Sequence, residues 1–209
     1  MSSPQQLIEG FQRFRERHFA AGENQFQDLV QFGQTPKALV VACCDSRVDP
    51  ALVLDCAPGD LFVIRNVANL VPPVENQGNY HGTSAALEFG VRNLGVQHVI
   101  VLGHAQCGGI HALLEGNVDA EESFIAGWMR IADAARQQVE REHAHASSKV
   151  RHRACEQQAI LVSLDNLMTF SWICERVEQG KLALHGWYFD IEQGELLGYD
   201  ALSRKFEVL

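Results

Sequence analysis

"ALVVACCDSR", residues 38–47, decides the reading of this chain. Residues 38–43 form a continuous apolar run, preceded by the breaker "QTPK" (34–37). A short apolar run bounded by turn signals is the pattern of a strand buried on both faces, as in a parallel sheet. The run ends in two cysteines, an acid, a hydroxyl and a guanidinium. In open α/β sheets, sites form outside the carboxyl ends of the strands. The chemistry therefore stands where a parallel sheet would use it.

Further strands are expected at "LFVIRN" (61–66) and "HVIVLG" (98–103), and "KLALHGWYFDIEQGELLGYDA" (181–201) reads as strand, turn and strand. Helical patterns lie between them: one after "NQGNYHGT" (76–83), one from "CGGIHALLEG", and mainly helical stretches at 121–146 and 149–179. Strands alternating with helices predict an α/β fold, a Rossmann-like, mainly parallel sheet flanked by helices. Residues 1–33 form an N-terminal arm of amphipathic helices with a break near Gly22, and the whole of 1–209 reads as a single domain.

The composition narrows the classes. A net charge of -9 argues against nucleic acid and against an anionic membrane surface as partners. No apolar run reaches the roughly 18 residues of a membrane span. "MSSPQQLIEG" has no basic stretch leading into an apolar one, so a soluble, cytoplasmic protein is expected. Six cysteines without a compact framework point to metal binding or burial rather than disulfides.

"GHAQCGG" (103–109) follows the third expected strand and carries His104 and Cys107. Two thiols and an imidazole are a donor set that zinc favours, and three protein ligands leave the fourth position open, as in a catalytic site. Alternate side chains of a strand point to opposite faces. If Cys43 faces the site, Cys44 faces away, and it is expected to be a buried thiol.

These residues resemble the β-class carbonic anhydrases. The family's first motif is Cys-x-Asp-Ser-Arg, matched by "CCDSR" (43–47); its second is His-x-x-Cys-Gly, matched by "HAQCG" (104–108). "PGDLFVIRNVANLVPP", "GTSAALEF" and "LHGWYFDIEQGEL" are similar to its connecting segments, so the likeness spans roughly residues 5 to 205. The resemblance implies one zinc ion per subunit on Cys43, His104 and Cys107, and a homodimer or a dimer of dimers. It implies reversible hydration of carbon dioxide to bicarbonate and a proton by zinc-bound hydroxide. Asp45 would orient the nucleophile, and Arg47 would hold Asp45 off the metal. Ser46 is read as a turn or supporting hydroxyl. Gln34 would contact bicarbonate across a subunit interface. Phe62, Val67 and Phe89 would form apolar walls, with Phe89 standing where a tyrosine is common. The backbone of Gly108 would meet a substrate oxygen. Some relatives bind regulatory bicarbonate around a tryptophan three residues before the first cysteine. Here that residue is Val40, which implies the plant-like, non-allosteric type I subgroup. Arg65 would either steady the loop over the site or make a structural salt bridge. His81, His98, His111 and His143 are read as surface or core residues, none singled out as a proton shuttle. The alternatives are a carbon disulfide or carbonyl sulfide hydrolase on the same scaffold, and a structural zinc or redox module.

Overall fold

The computed structural model describes residues 3–19, 25–75, 81–116 and 123–209. Two helices, α1 (Pro4–Phe19) and α2 (Gln25–Phe32), precede the sheet and bury none of their residues. The break expected near Gly22 lies outside the described residues. The rest runs β1 (Ala38–Cys43), α3 (Pro50–Val53), β2 (Leu61–Asn66), α4 (Gly82–Glu88), β3 (His98–His104), α5 (Gly108–Leu114), α6 (Phe124–Met129), α7 (Asp133–Glu142), α8 (Ser148–Leu167), α9 (Ser171–Glu178), β4 (Ala183–Asp190), β5 (Glu195–Asp200) and β6 (Lys205–Val208).

The described strands form one six-stranded sheet in the order β2-β1-β3-β4-β5-β6. The first four are mutually parallel, and β5 and β6 return antiparallel. The chain places β2 on one side of β1 and β3 on the other, so the switch point lies between β1 and β3. Their register pairs Ala42 with Leu102, which brings the ends carrying Cys43 and His104 side by side. That closes a separation of about sixty residues in sequence.

All four predicted strand regions are strands. Strand β6 lies beyond the predicted pattern: it is short and mostly exposed, so neither length nor alternation announces it. Helix α4 continues into a wider π-type turn at Phe89–Asn93, and the helical stretch 149–179 divides into α8 and α9 around Met168–Phe170.

Helix α8 lies close against β3 and β4, and glycines allow the approach. A Cβ on Gly103 would stand 2.7 Å from Cδ1 of Ile160, and one on Gly186 would stand 2.9 Å from its Cγ2. Gly103→Ala should therefore destabilise the fold by about 1–3 kcal/mol through overpacking. A urea midpoint lowered in Gly103→Ala and partly restored by adding Ile160→Val is the expected result. An unchanged midpoint would refute the account.

Candidate active site

Cys43 Sγ, Cys107 Sγ and a ring nitrogen of His104 all lie within 4.8 Å of one another, and all three residues are buried. Cys43 ends β1 and His104 ends β3. Cys107 returns to them through a tight turn in which Gln106 takes a left-handed φ of 59°. That conformation is costly for a residue with a Cβ. The turn is fastened from two sides: the Gln106 carbonyl accepts from Arg47 at 3.1 Å, and its side-chain amide donates to Glu192.

The donor set fits a zinc ion. The Nδ1 atom of His104 lies 2.9 Å from the Ala105 carbonyl, so the Nδ1–H tautomer donates there. That leaves Nε2 as a lone pair, and this buried atom has no hydrogen-bond partner. A histidine ligand oriented by a carbonyl on its other nitrogen is the usual arrangement around zinc. The two sulfurs are 4.0 Å apart, close enough for the thiols to share a proton. That contact with Cys107 is the main cause that pulls the Cys43 thiol down to about 4, against burial. The same contact, together with burial, drives the remaining proton on Cys107 strongly upward. The opposite directions of the two shifts favour one thiolate in the pair, the form in which a cysteine binds metal. Among the described residues no fourth ligand joins the set.

Asp45 is held by Arg47 in a two-pronged fork, with Nε donating to Oδ1 at 2.9 Å and Nη2 to Oδ2 at 2.6 Å. The Arg47 backbone N–H adds a bond to Oδ1 at 3.0 Å. The guanidinium hydrogen bonds hold the Asp45 carboxyl well below the ordinary carboxylate range. Arg47 also reaches the Gln106 carbonyl, so one side chain ties the loop after β1 to the loop after β3. Ser46 sits in the turn between Asp45 and Arg47 and is exposed.

Arg65 does both things expected of it as alternatives. Its Nε and Nη2 donate to the carbonyls of Cys43 and Asp45 at 2.9 and 2.7 Å, and its Nη1 pairs with Asp49 at 2.8 Å. Asp49 in turn caps α3.

Cys44 departs from the expectation. It is exposed, not buried. The strand ends at Cys43, and Cys44 instead borders a cavity of about 570 Å³ with Val67, His81 and Trp128.

The other expected pocket residues divide into two groups. Val67 follows β2 and packs beside Gly109, and Gly108 directly follows Cys107 with open space around it. Phe62 and Phe89 make a tilted ring pair with centroids 5.9 Å apart, but Phe62 pairs in register with Leu39, four residues before Cys43. At about 3.3 Å per residue, that is roughly 13 Å along the strand. Gln34 is exposed and lies before the amino end of β1. A single chain does not bring these three to the cysteines.

Sequence reasoning missed Glu156. It is buried within α8, accepts the Cys107 backbone N–H at 3.0 Å, and accepts the Tyr188 hydroxyl at 2.7 Å. The available signal was an acid on the stripe that also carries Cys155, Ala159, Ile160 and Ser163. Asp190, at the end of β4, is buried and pairs with Arg153 at 2.6 Å.

A family model described as carbonic anhydrase matches residues 38–196. A carbonic anhydrase of Pseudomonas aeruginosa is 40% identical over 200 residues, covering 96% of this chain and 89% of that one. The chain belongs to the β-class carbonic anhydrases. The solved structure of the β-carbonic anhydrase CcaA superposes with a TM-score of 0.91 at 36% identity, covering 98% of this chain and 91% of that one. A tetrameric β-carbonic anhydrase of Sordaria macrospora superposes with a TM-score of 0.72 at 28% identity, covering 93% and 92%. The reaction of the enzyme is the reversible hydration of carbon dioxide by a metal centre, and the fold supplies a Cys-His-Cys site for it. No helix among the described residues is long and apolar enough to cross a membrane.

Asp190 gives this enzyme an acid-sensitive joint. Burial pushes its carboxyl up, but Arg153 and the backbone N–H groups of Gln193 and Glu192 outweigh that, and the net shift is downward. A carboxylate depressed in the fold contributes stability above its unfolded value of about 4, lost as pH falls through the folded value. Asp190→Asn should therefore cost stability at neutral pH and flatten the loss on acidification. Urea unfolding at a series of pH values reads this directly. Parallel curves for wild type and variant would overturn it.

Proposed function

We propose that the ion held by Cys43, His104 and Cys107 is zinc, one per subunit, and that the site is of the open, non-allosteric type I. The single observation that carries the reading is the Arg47 fork on Asp45 beside a three-donor site with a free imidazole nitrogen. When bound, zinc supplies the Lewis acidity that lets water lose a proton near neutral pH and attack carbon dioxide. Asp45, kept ionised and held by Arg47, accepts a hydrogen bond from the attacking group and aims its lone pair at the carbon. Held in the fork, Asp45 is kept from serving as a fourth ligand. Val67 gives the nonpolar substrate an apolar wall, and the Gly108 N–H meets an oxygen of bicarbonate. At the position of a regulatory tryptophan stands Val40, fully buried within β1.

The remaining pocket residues come from a second copy: the partner subunit's Gln34, Phe62 and Phe89 complete the cavity in a homodimer or dimer of dimers. Supporting this, β2 is an edge strand, and the arm 1–33 exposes Leu7, Ile8, Phe11 and Phe32 in the single chain. The tetrameric Sordaria relative points the same way. The arm then serves assembly of one domain, 1–209, and the enzyme works in the cytoplasm. A structural zinc module would need a fourth protein ligand, which the described residues do not supply.

Two thiolates offset the charge of the ion, so the activated water should be a weaker acid than at a site of three neutral histidines. Stopped-flow carbon dioxide hydration on zinc-loaded enzyme should be fast at pH 7 and faster at pH 8.5. Activity confined to the higher pH would mean that Asp45 closes the site, and the type I reading would fall. A flat profile would refute the acidity argument.

A further inference from the structure

We propose that His111, Glu115 and His152 form a second metal site, for a divalent transition ion such as zinc, one helical turn outward from the first. Their ligand atoms all lie within 4.8 Å of one another. His111 and Glu115 are neighbours on the α5 side, four residues apart, with Nδ1 and Oε1 at 3.3 Å. His152 comes from α8, its ring centroid 4.5 Å from that of His111.

The place of the cluster follows from the register of the two helices. Cys107 meets Glu156 at the mouth of α5. Four residues further on in α5 stands His111, and four residues earlier in α8 stands His152. The offsets have opposite signs, so the helices run antiparallel, and the second contact lies one turn from the first. A cavity of about 450 Å³ reaches from the histidine pair to Cys107, Glu156 and Tyr188.

The chemistry suits a cation. Two imidazoles and a carboxylate are donors that zinc takes, with room for water in the fourth position. Ligand atoms around a tetrahedral zinc stand about 3.4 Å apart at ordinary bond lengths. The His111–Glu115 pair already meets that spacing. The others lie within 4.8 Å and so need to close by no more than about 1.4 Å, which the exposed His111 and Glu115 side chains can do by rotation. Of the nearby cations, Lys149 pairs with Glu192 at 2.5 Å and Arg153 with Asp190 at 2.6 Å, while Arg151 still acts on His152. Burial first, and then His111, lower the pKa of His152, which favours the neutral ligand form.

The test uses zinc-loaded holoenzyme dialysed against micromolar free zinc, with metal counted per subunit. Wild type should hold a second equivalent. His111→Gln and His152→Gln should each weaken it at least about tenfold, while the first equivalent stays. Cobalt added to the zinc-loaded enzyme should show weak visible bands without thiolate charge transfer. Three results would overturn the proposal: no second equivalent in wild type, a second equivalent that survives both substitutions, or one with the thiolate signature of a cysteine ligand.

Discussion

Cys107→Ala abolishes carbon dioxide hydration, with a loss of at least about 1,000-fold, or roughly 4 kcal/mol of barrier. The argument separates the fold from the site. Cys107 is buried, and its backbone, not its side chain, makes the contact with Glu156. Alanine keeps that N–H, keeps the turn through Gln106 and removes only one small sulfur, so the chain should still fold. What is lost is a thiolate ligand and the partner that eases deprotonation of Cys43. Metal analysis should show zinc depleted after gel filtration, and far-ultraviolet circular dichroism should match wild type. A variant that hydrates carbon dioxide within tenfold of wild type, with metal bound, would remove Cys107 from the ligand set.

Arg47→Ala lowers the hydration rate by about 10- to 100-fold, the usual cost of losing a partner that orients a metal site. Two connections go at once: the fork on Asp45 and the bond to the strained Gln106 carbonyl. The loss is one of position, not of charge. Without Arg47 the Asp45 carboxyl rises toward its ordinary value of about 4, still far below neutral pH, so it stays ionised. It is then free to swing toward the metal. Arg47→Lys should recover little, because an ammonium cannot form the planar two-pronged contact. The measurement is stopped-flow hydration of the three proteins at equal zinc content. Full activity in Arg47→Ala would make the pair a surface ion pair with no part in the reaction.

Much of this was legible in the chain. The apolar run 38–43, and its echoes at 61–66 and 98–103, announce parallel strands because a buried strand has no solvent face to mark with polar residues. The two motifs name Cys43, Asp45, Arg47, His104 and Cys107, because a donor set and its supporting fork depend on residue type and short spacing. The alternation rule led to a buried Cys44. It did not foresee exposure, because what covers a side chain beyond a strand end depends on distant segments. Nor did it foresee Glu156, whose role exists only once α8 lies against the turn at Cys107.

The sequence by itself determined which side chains are candidates for the chemistry and which elements deliver them, since both are encoded within a few residues of each other. Only the tertiary structure decided what stands beside what. It set Cys43 next to His104 through the register of β1 and β3. It gave Arg65 both of its roles, and it laid His111 against His152. It left Phe62 and Phe89 stranded from the site of their own chain. Those outcomes rest on contacts between residues tens of positions apart, which close only when the whole sheet and its helices pack.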